Sequence, residues 1–309
     1  MYSKRRASLC PQRAAIDMLV YQSARRHRPN GAIERTRRLG ANCPDRTIHL
    51  AHTAQSLHCP IDHEHSIIPP MKRLAEKVTI VTGSSSGIGK AIARVFGREG
   101  ARVVVAARRQ NLCEQTVAQI HADGGQAISI PTDVTDESQV DRLIADTVRR
   151  FGRLDILVNN AGIGGGGRIV DTSTEAFDRV ITTNLRGTFL CARAGFRQMI
   201  QNGGGVILNM SSVAGVQAWA GTGTYSASKH GIMGLTKAMA DEGRPHKIKV
   251  CAICPGGVAD ELVDASPGEI ERSGAISPYD VAETCVYLAT LGSNSIVQQI
   301  VIDRMMADW

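Results

Sequence analysis

Tyr225-Ser-Ala-Ser-Lys229 places a phenol and an ammonium four residues apart. The Ala, Leu, Met and Lys content of residues 224–240 favours a helix. Positions i and i+4 then share a face, so the two side chains can act as one unit. A free tyrosine, with a pKa of about 10, exchanges protons poorly at neutral pH. A cation beside it favours the phenolate, so Lys229 is expected to draw that pKa toward the range of a general acid or base. The same spacing arises by chance on amphipathic surface turns. Its meaning depends on the elements that would position it.

Those elements begin with Val78-Thr-Ile-Val-Thr82, a β-branched run suited to a buried parallel strand. It leads into Gly83-Ser-Ser85-Ser86-Gly87-Ile88-Gly89 and then a helical pattern from Lys90. Strand, glycine-rich turn and helix together present backbone N–H groups and a helix N-terminus to a phosphate. The second strand, Arg102–Ala106, ends in Ala107-Arg108-Arg109. In a mononucleotide-binding unit an acid near this point bonds a ribose 2′-hydroxyl, whereas arginine accommodates a 2′-phosphate through charge-assisted hydrogen bonds. NADP(H) is therefore expected as the preferred cofactor, with NAD(H) possible. The alternative is that the arginines merely open a solvated helix.

The alternation continues. A helix over about 110–122 leads to strand 127–130, ending at Asp133-Val134, and a helix over about 137–151 leads to strand 155–159 and Asn160-Ala161-Gly162. A long helix over about 174–201 carries Asn184, and strand 206–210 ends at Ser211-Ser212. After the Tyr225 helix, strand 249–253 ends at Pro255-Gly256-Gly257-Val258, and helix 278–290 and strand 297–302 close the pattern. This order predicts an α/β fold with a doubly wound parallel sheet and a ligand across the carboxyl ends of its strands.

The chain has 309 residues, 43% of them hydrophobic, which suits a globular protein. No run approaches the ~18 consecutive apolar residues of a membrane span. Its net charge of +7 is concentrated in residues 1–70, which hold eleven Lys and Arg against five Asp and Glu, leaving 25 against 24 for residues 71–309. Residues 1–70 read as a basic, disordered extension, with globular patterning starting at Met71, as it would if the true start codon lay there. A mitochondrial-type targeting peptide is a second reading, opposed by Asp45, Asp62 and Glu64. Cys43, His49, His52, His58, Cys59, His63 and His65 lack the spacing of a zinc module, so no metal is expected. Eight cysteines in a chain this long do not form a disulfide framework, and Cys251 and Cys254, three apart on a strand, point to opposite faces. A reduced, cytoplasmic protein is the simplest expectation.

Taken together, Thr82-Gly83-x-x-x-Gly87-x-Gly89, Asn159-Asn160-Ala161-Gly162, Asn184, Ser212, Tyr225-x-x-x-Lys229 and Pro255-Gly256 resemble the short-chain dehydrogenase/reductase family across residues 71–302. The resemblance implies a single Rossmann-type domain over residues 71–309, with a seven-stranded parallel sheet, and hydride transfer between a nicotinamide cofactor and a carbonyl or secondary alcohol. Tyr225 is then the acid or base, Lys229 its cationic partner and a ligand of the nicotinamide ribose, and Ser212 a donor to the substrate oxygen. Asn184 would hold a water linking Lys229 to solvent. Gly83, Ser85, Ser86, Gly87, Ile88, Gly89, Arg108, Asp133, Val134, Asn160, Ala161, Gly162, Pro255, Gly256 and Val258 would contact the cofactor, as would Tyr225 and Lys229.

Two features depart from the pattern. Asp260 stands where many relatives have a threonine that bonds the nicotinamide carboxamide, and the chain ends without the glycine-rich strand and turn of acyl-carrier-protein reductases. The ending points to a small-molecule reductase, with 3-oxoacyl thioester reduction as an alternative. Ile163, Val213, Trp219, Val258 and Leu262 are candidates for pocket lining, Trp219 reading equally as packing. A homodimer or homotetramer is implied through the helices near 174–201 and 224–242. A non-catalytic NADP-binding regulator is a rival disfavoured by the intact Asn-Ser-Tyr-Lys set, and nucleic-acid binding through residues 1–70 is a weaker one.

Overall fold

The computed structural model describes residues 72–305. The extension expected over 1–70, with its candidate metal ligands, lies outside the described residues. Seven parallel strands form one sheet: β1 (Val78–Thr82), β2 (Arg102–Ala106), β3 (Gln126–Ser129), β4 (Ile156–Asn159), β5 (Gly205–Met210), β6 (Ile248–Pro255) and β7 (Gln299–Ile302). Their order is β3-β2-β1-β4-β5-β6-β7, so the chain reverses its direction of travel between β1 and β4. This is the doubly wound architecture that the alternating pattern predicts, with its crevice at the switch point. The register is direct, Val78 pairing with Arg102 and Thr82 with Ala106, and it brings the ends of β1 and β2 level.

Helices α1 (Gly87–Arg98), α2 (Gln110–Ala122) and α8 (Pro278–Thr290) contribute to one core, with Ile92, Phe96, Ile120 and Val281 completely buried against Val81, Val103 and Ile253. A second core holds Leu143 of α3 (Glu137–Phe151), Leu190 of α5 (Gly187–Asn202) and Met239 of α6 (Gly223–Gly243) against Ile80, Leu157 and Ile207. Strands covered by both cores need no polar face, which is why they read as continuous apolar or β-branched runs. Burying a side chain such as Phe96 contributes about 1.5–3 kcal/mol.

The expected helix over 174–201 is interrupted. α4 (Thr174–Ile181) passes into a π-helical turn, Thr182–Arg186, before α5 begins. A π-bulge rotates the helix face and frees backbone groups from the regular ladder, and this one carries Asn184. Between β6 and α8 the chain also forms a 3-10 turn, Asp260–Leu262, and a short helix, α7 (Pro267–Ser273). α7 is opened by a capping box between Ser266 and Glu269 and by Pro267 in its first turn. Among the described residues, no helix is long and apolar enough to cross a membrane.

Candidate active site

The carboxyl ends of the strands enclose a cleft of about 760 Å³, lined by residues at the ends of β1 to β6 and in the segments that follow them, and by α6. Its floor is the turn from β1 to α1. Gly83 and Gly87 adopt φ of +67° and +54°, which side chains with a Cβ resist. Thr82 ties this turn to the next strand end: its Oγ1 accepts from the N–H groups of Asn160 at 3.0 Å and Ala161 at 3.1 Å. The Asn160 amide returns a bond to the Thr82 carbonyl at 3.1 Å. Ser84 ties the turn to β2, accepting from the Ala106 N–H at 3.0 Å.

Gly83, Ser85, Ser86, Gly87, Ile88, Arg108, Asp133, Val134, Asn160, Ala161, Gly162, Ser212, Tyr225, Lys229, Pro255, Gly256 and Val258 all line the cleft. Gly89 and Asn184 do not. A Cβ on Gly89 would stand 2.5 Å from the Gly83 carbonyl oxygen, so Gly89 serves the close packing of helix on turn. Of the pocket candidates, Ile163 and Val258 reach the cleft, whereas Val213, Trp219 and Leu262 lie outside its lining. Arg109, Gly164, Asp260 and Glu261 join it. The Arg109 guanidinium donates to the hydroxyls of Ser85 at 3.2 Å and Ser86 at 3.1 Å, which sets a fixed cation over the turn.

Tyr225 and Lys229 lie in the first two turns of α6, and the Lys229 ammonium stands 5.5 Å from the Tyr225 ring centroid. It donates to the Met210 carbonyl at 2.9 Å, which pins the end of β5 to the helix. Lys229 is buried, and removal from water lowers its pKa from 10.5 to about 8. The Ser212 hydroxyl acts on the Tyr225 phenol, favouring its ionised form. Its Oγ also accepts from the Ala214 N–H at 3.1 Å, which orients the hydroxyl. The neighbouring Ser211 also lines the cleft, but its hydroxyl donates to the Lys229 carbonyl at 3.1 Å.

One expectation changes here. Burial pushes the Tyr225 phenol up, the Ser212 bond opposing it and the Asp260 charge adding to it. The expected downward pull by Lys229 is not among these influences, and loss of hydration governs. Asn184, completely buried, donates to the Ile163 carbonyl at 2.9 Å and to Ser228 Oγ at 3.1 Å, and its Oδ1 accepts from the Ile163 N–H at 2.8 Å. Its side chain thus clamps the loop after β4 to α6. A Cβ on Gly162 would lie 3.3 Å from Asn184 Oδ1 and 3.7 Å from Lys229 Nζ, so the clamp stands close behind the ammonium.

The turn has the properties of an anion seat. An oxyanion already rests on it, since the Ile88 N–H donates to a carboxylate oxygen of Asp260 at 2.8 Å. Two guanidiniums, Arg108 and Arg109, line the same cleft beyond β2. A phosphate-bearing dinucleotide fits this donor set.

Known proteins resemble this chain in sequence and in fold. The family described as short chain dehydrogenase matches residues 77–269. An uncharacterized oxidoreductase of Bacillus subtilis is 41% identical over 211 residues, which cover 67% of this chain and 80% of the relative. The 3-oxoacyl-[acyl-carrier-protein] reductase of Synechocystis is 38% identical over 228 residues, 71% of this chain and 92% of the relative. A crystal structure of a metagenomic short-chain oxidoreductase in complex with NADP superposes with a TM-score of 0.67 at 34% identity, covering 76% of this chain and all of that one. The chain belongs to the short-chain dehydrogenase family and is one of its oxidoreductases.

Proposed function

We propose that the protein is an NADP(H)-dependent oxidoreductase that interconverts a carbonyl and a secondary alcohol on a small organic substrate. The observation that carries this reading is the convergence of Tyr225, Ser212 and Lys229 on the cleft that also holds the β1 turn and two arginines. Gly83, Ser85, Ser86, Gly87 and Ile88 would hold the cofactor's diphosphate, and Arg108 and Arg109 its 2′-phosphate. Asp133, Val134, Asn160, Ala161, Gly162, Pro255, Gly256 and Val258 would enclose the remainder. The cofactor supplies the hydride when bound.

The chain's own residues handle the proton and the developing charge. With its pKa held up by burial, the Tyr225 phenol carries its proton at neutral pH and is ready to donate it to a carbonyl oxygen. Ser212 can donate to the same oxygen and stabilise negative charge as it forms there. A Lys229 pKa of about 8 leaves most molecules with an ammonium at pH 7, which would favour the phenolate left after the transfer. Asn184 acts one layer back, holding the Gly162–Ile163 loop against α6.

The Synechocystis relative favours a second reading in which the carbonyl belongs to a 3-oxoacyl thioester. One experiment addresses both. NADPH and NADH oxidation by the full-length protein is followed against ketones, aldehydes, β-keto esters and acetoacetyl-CoA, beside Tyr225→Phe. We expect NADPH-dependent turnover that falls by about 10²–10⁴-fold in the variant with cofactor binding retained. Turnover unchanged by Tyr225→Phe would remove the tyrosine mechanism.

A further inference from the structure

α1 has no cap of its own. Its N-cap residue, Ser86, makes no side-chain capping bond, and no acid lies in its first turn. By contrast, Asp136 caps α3 by accepting from the Ser138 N–H at 2.9 Å. The Ile88 N–H at the start of α1 is instead met by Asp260, from 172 residues downstream, at 2.8 Å. The carboxylate lies flat on the turn: a Cβ on Gly87 would stand 2.5 Å from its Oδ1 and 2.8 Å from its Cγ.

The segment bearing Asp260 is fastened on both sides. The Ala259 N–H donates to the Ile276 carbonyl at 3.0 Å. Asp264 pairs with Lys90 of α1 at 2.6 Å, and the Tyr279 hydroxyl donates to the Val263 carbonyl at 3.1 Å. Among the described residues Asp260 has no ion pair. Lys90 is engaged by Asp264, Arg109 by the serine hydroxyls, and Lys229 by the Met210 carbonyl, while its neighbour Glu261 is another acid. An unpaired carboxylate beside an uncapped helix N-terminus gains from the macrodipole and from a charge-assisted bond.

We infer that Asp260 is a built-in competitor for the cofactor: its carboxylate occupies the Ile88 amide that the diphosphate would take, and it must leave that amide before the cofactor can seat. This rests on reading the cleft as the cofactor site. A single N–H cannot serve two anions, and two anions at one helix end repel each other. The carboxylate therefore weakens cofactor binding while capping the free protein. A threonine at this position would bring no such charge.

The test is NADPH binding by the full-length protein, measured by fluorescence titration without substrate, for wild type, Asp260→Asn and Asp260→Ala. Asn keeps the acceptor and removes the charge; Ala removes both. Losing a competing charge-assisted bond should tighten NADPH binding about tenfold in both variants. Inorganic pyrophosphate, used as a competitor against NADPH, should likewise bind the variants more tightly. Urea melts of the free proteins report whether both variants fold. If wild type binds NADPH and both folded variants bind it equally or more weakly, Asp260 is a ligand or a bystander and the inference is overturned. If no protein binds NADPH or pyrophosphate, the cofactor reading of the cleft falls, and this inference with it.

Discussion

Replacing Lys229 by methionine should raise stability at neutral pH while abolishing turnover. The ammonium is 5% exposed, and burial lowers its pKa from 10.5 to about 8. At pH 7 lysine is charged in both the folded and the unfolded chain, so the folded state bears the dehydration. Converting that pKa difference gives about 3 kcal/mol. Methionine has similar length and no charge, but it leaves the Met210 carbonyl without its donor, a loss of about 1–2 kcal/mol. The net expectation is a gain of about 1–2 kcal/mol at pH 7.

The pH dependence gives the sign a second test. A lysine whose folded pKa lies below its unfolded one binds fewer protons when folded between about pH 8 and 10.5. Wild-type stability therefore rises relative to the variant across that window, and above it only the lost carbonyl bond remains, so Lys229→Met becomes the less stable protein. Paired urea melts at pH 7 and about pH 11 measure the difference, with titrations common to both proteins cancelling. A variant less stable at pH 7, or a difference that ignores pH, would refute the argument that burial sets the state of this ammonium.

Asn184→Ala should cost about 1–3 kcal/mol in urea melts, because it removes the partner of the half-buried N–H and C=O of Ile163 and a partner of Ser228. A cost below about 1 kcal/mol would mean that the loop finds other partners. Arg108→Ala and Arg109→Ala should each weaken NADPH binding by about tenfold or more and leave NADH binding nearly unchanged, since guanidinium–phosphate bonds are charge-assisted. Equal losses for both cofactors in titrations would place the arginines elsewhere than at the 2′-phosphate.

What the sequence disclosed follows from how far apart the interacting residues lie. Tyr225 and Lys229 share one helix, so their proximity is a matter of period alone. Buried strands such as Val78–Thr82 announce themselves because both faces must be apolar or β-branched. Ser211 and Ser212 are adjacent and both line the cleft, and only the tertiary bond of Ser211 to the Lys229 carbonyl separates their surroundings. The π turn at Thr182–Arg186 had no such signal, with neither proline nor a glycine pair to mark it; it coincides with the bonds of Asn184 to Ile163 and Ser228, which are tertiary. α7 does carry a local signal, since Ser266-Pro267-Gly-Glu269 spells a capping box with proline in the first turn.

Asp260 shows the boundary between these cases most clearly. Its identity stood out in the sequence as a charge near a nicotinamide, but nothing local could reveal that its carboxylate sits on Ile88. The sheet order explains why it does. β2 and β6 bring their following segments to opposite sides of the β1 turn, the first bearing Arg108 and Arg109 and the second Asp260 and Glu261. The two segments flanking the turn thus differ in charge, and the amides of the turn lie between them. That difference would favour an anionic dinucleotide seated toward the β2 segment and away from the β6 segment. Asp264 of the same segment takes Lys90, whereas Asp260 takes the helix end through the Ile88 N–H. The carboxylate thus belongs to the charge distribution that would orient the cofactor, which is why removing that single charge is the sharpest probe of both.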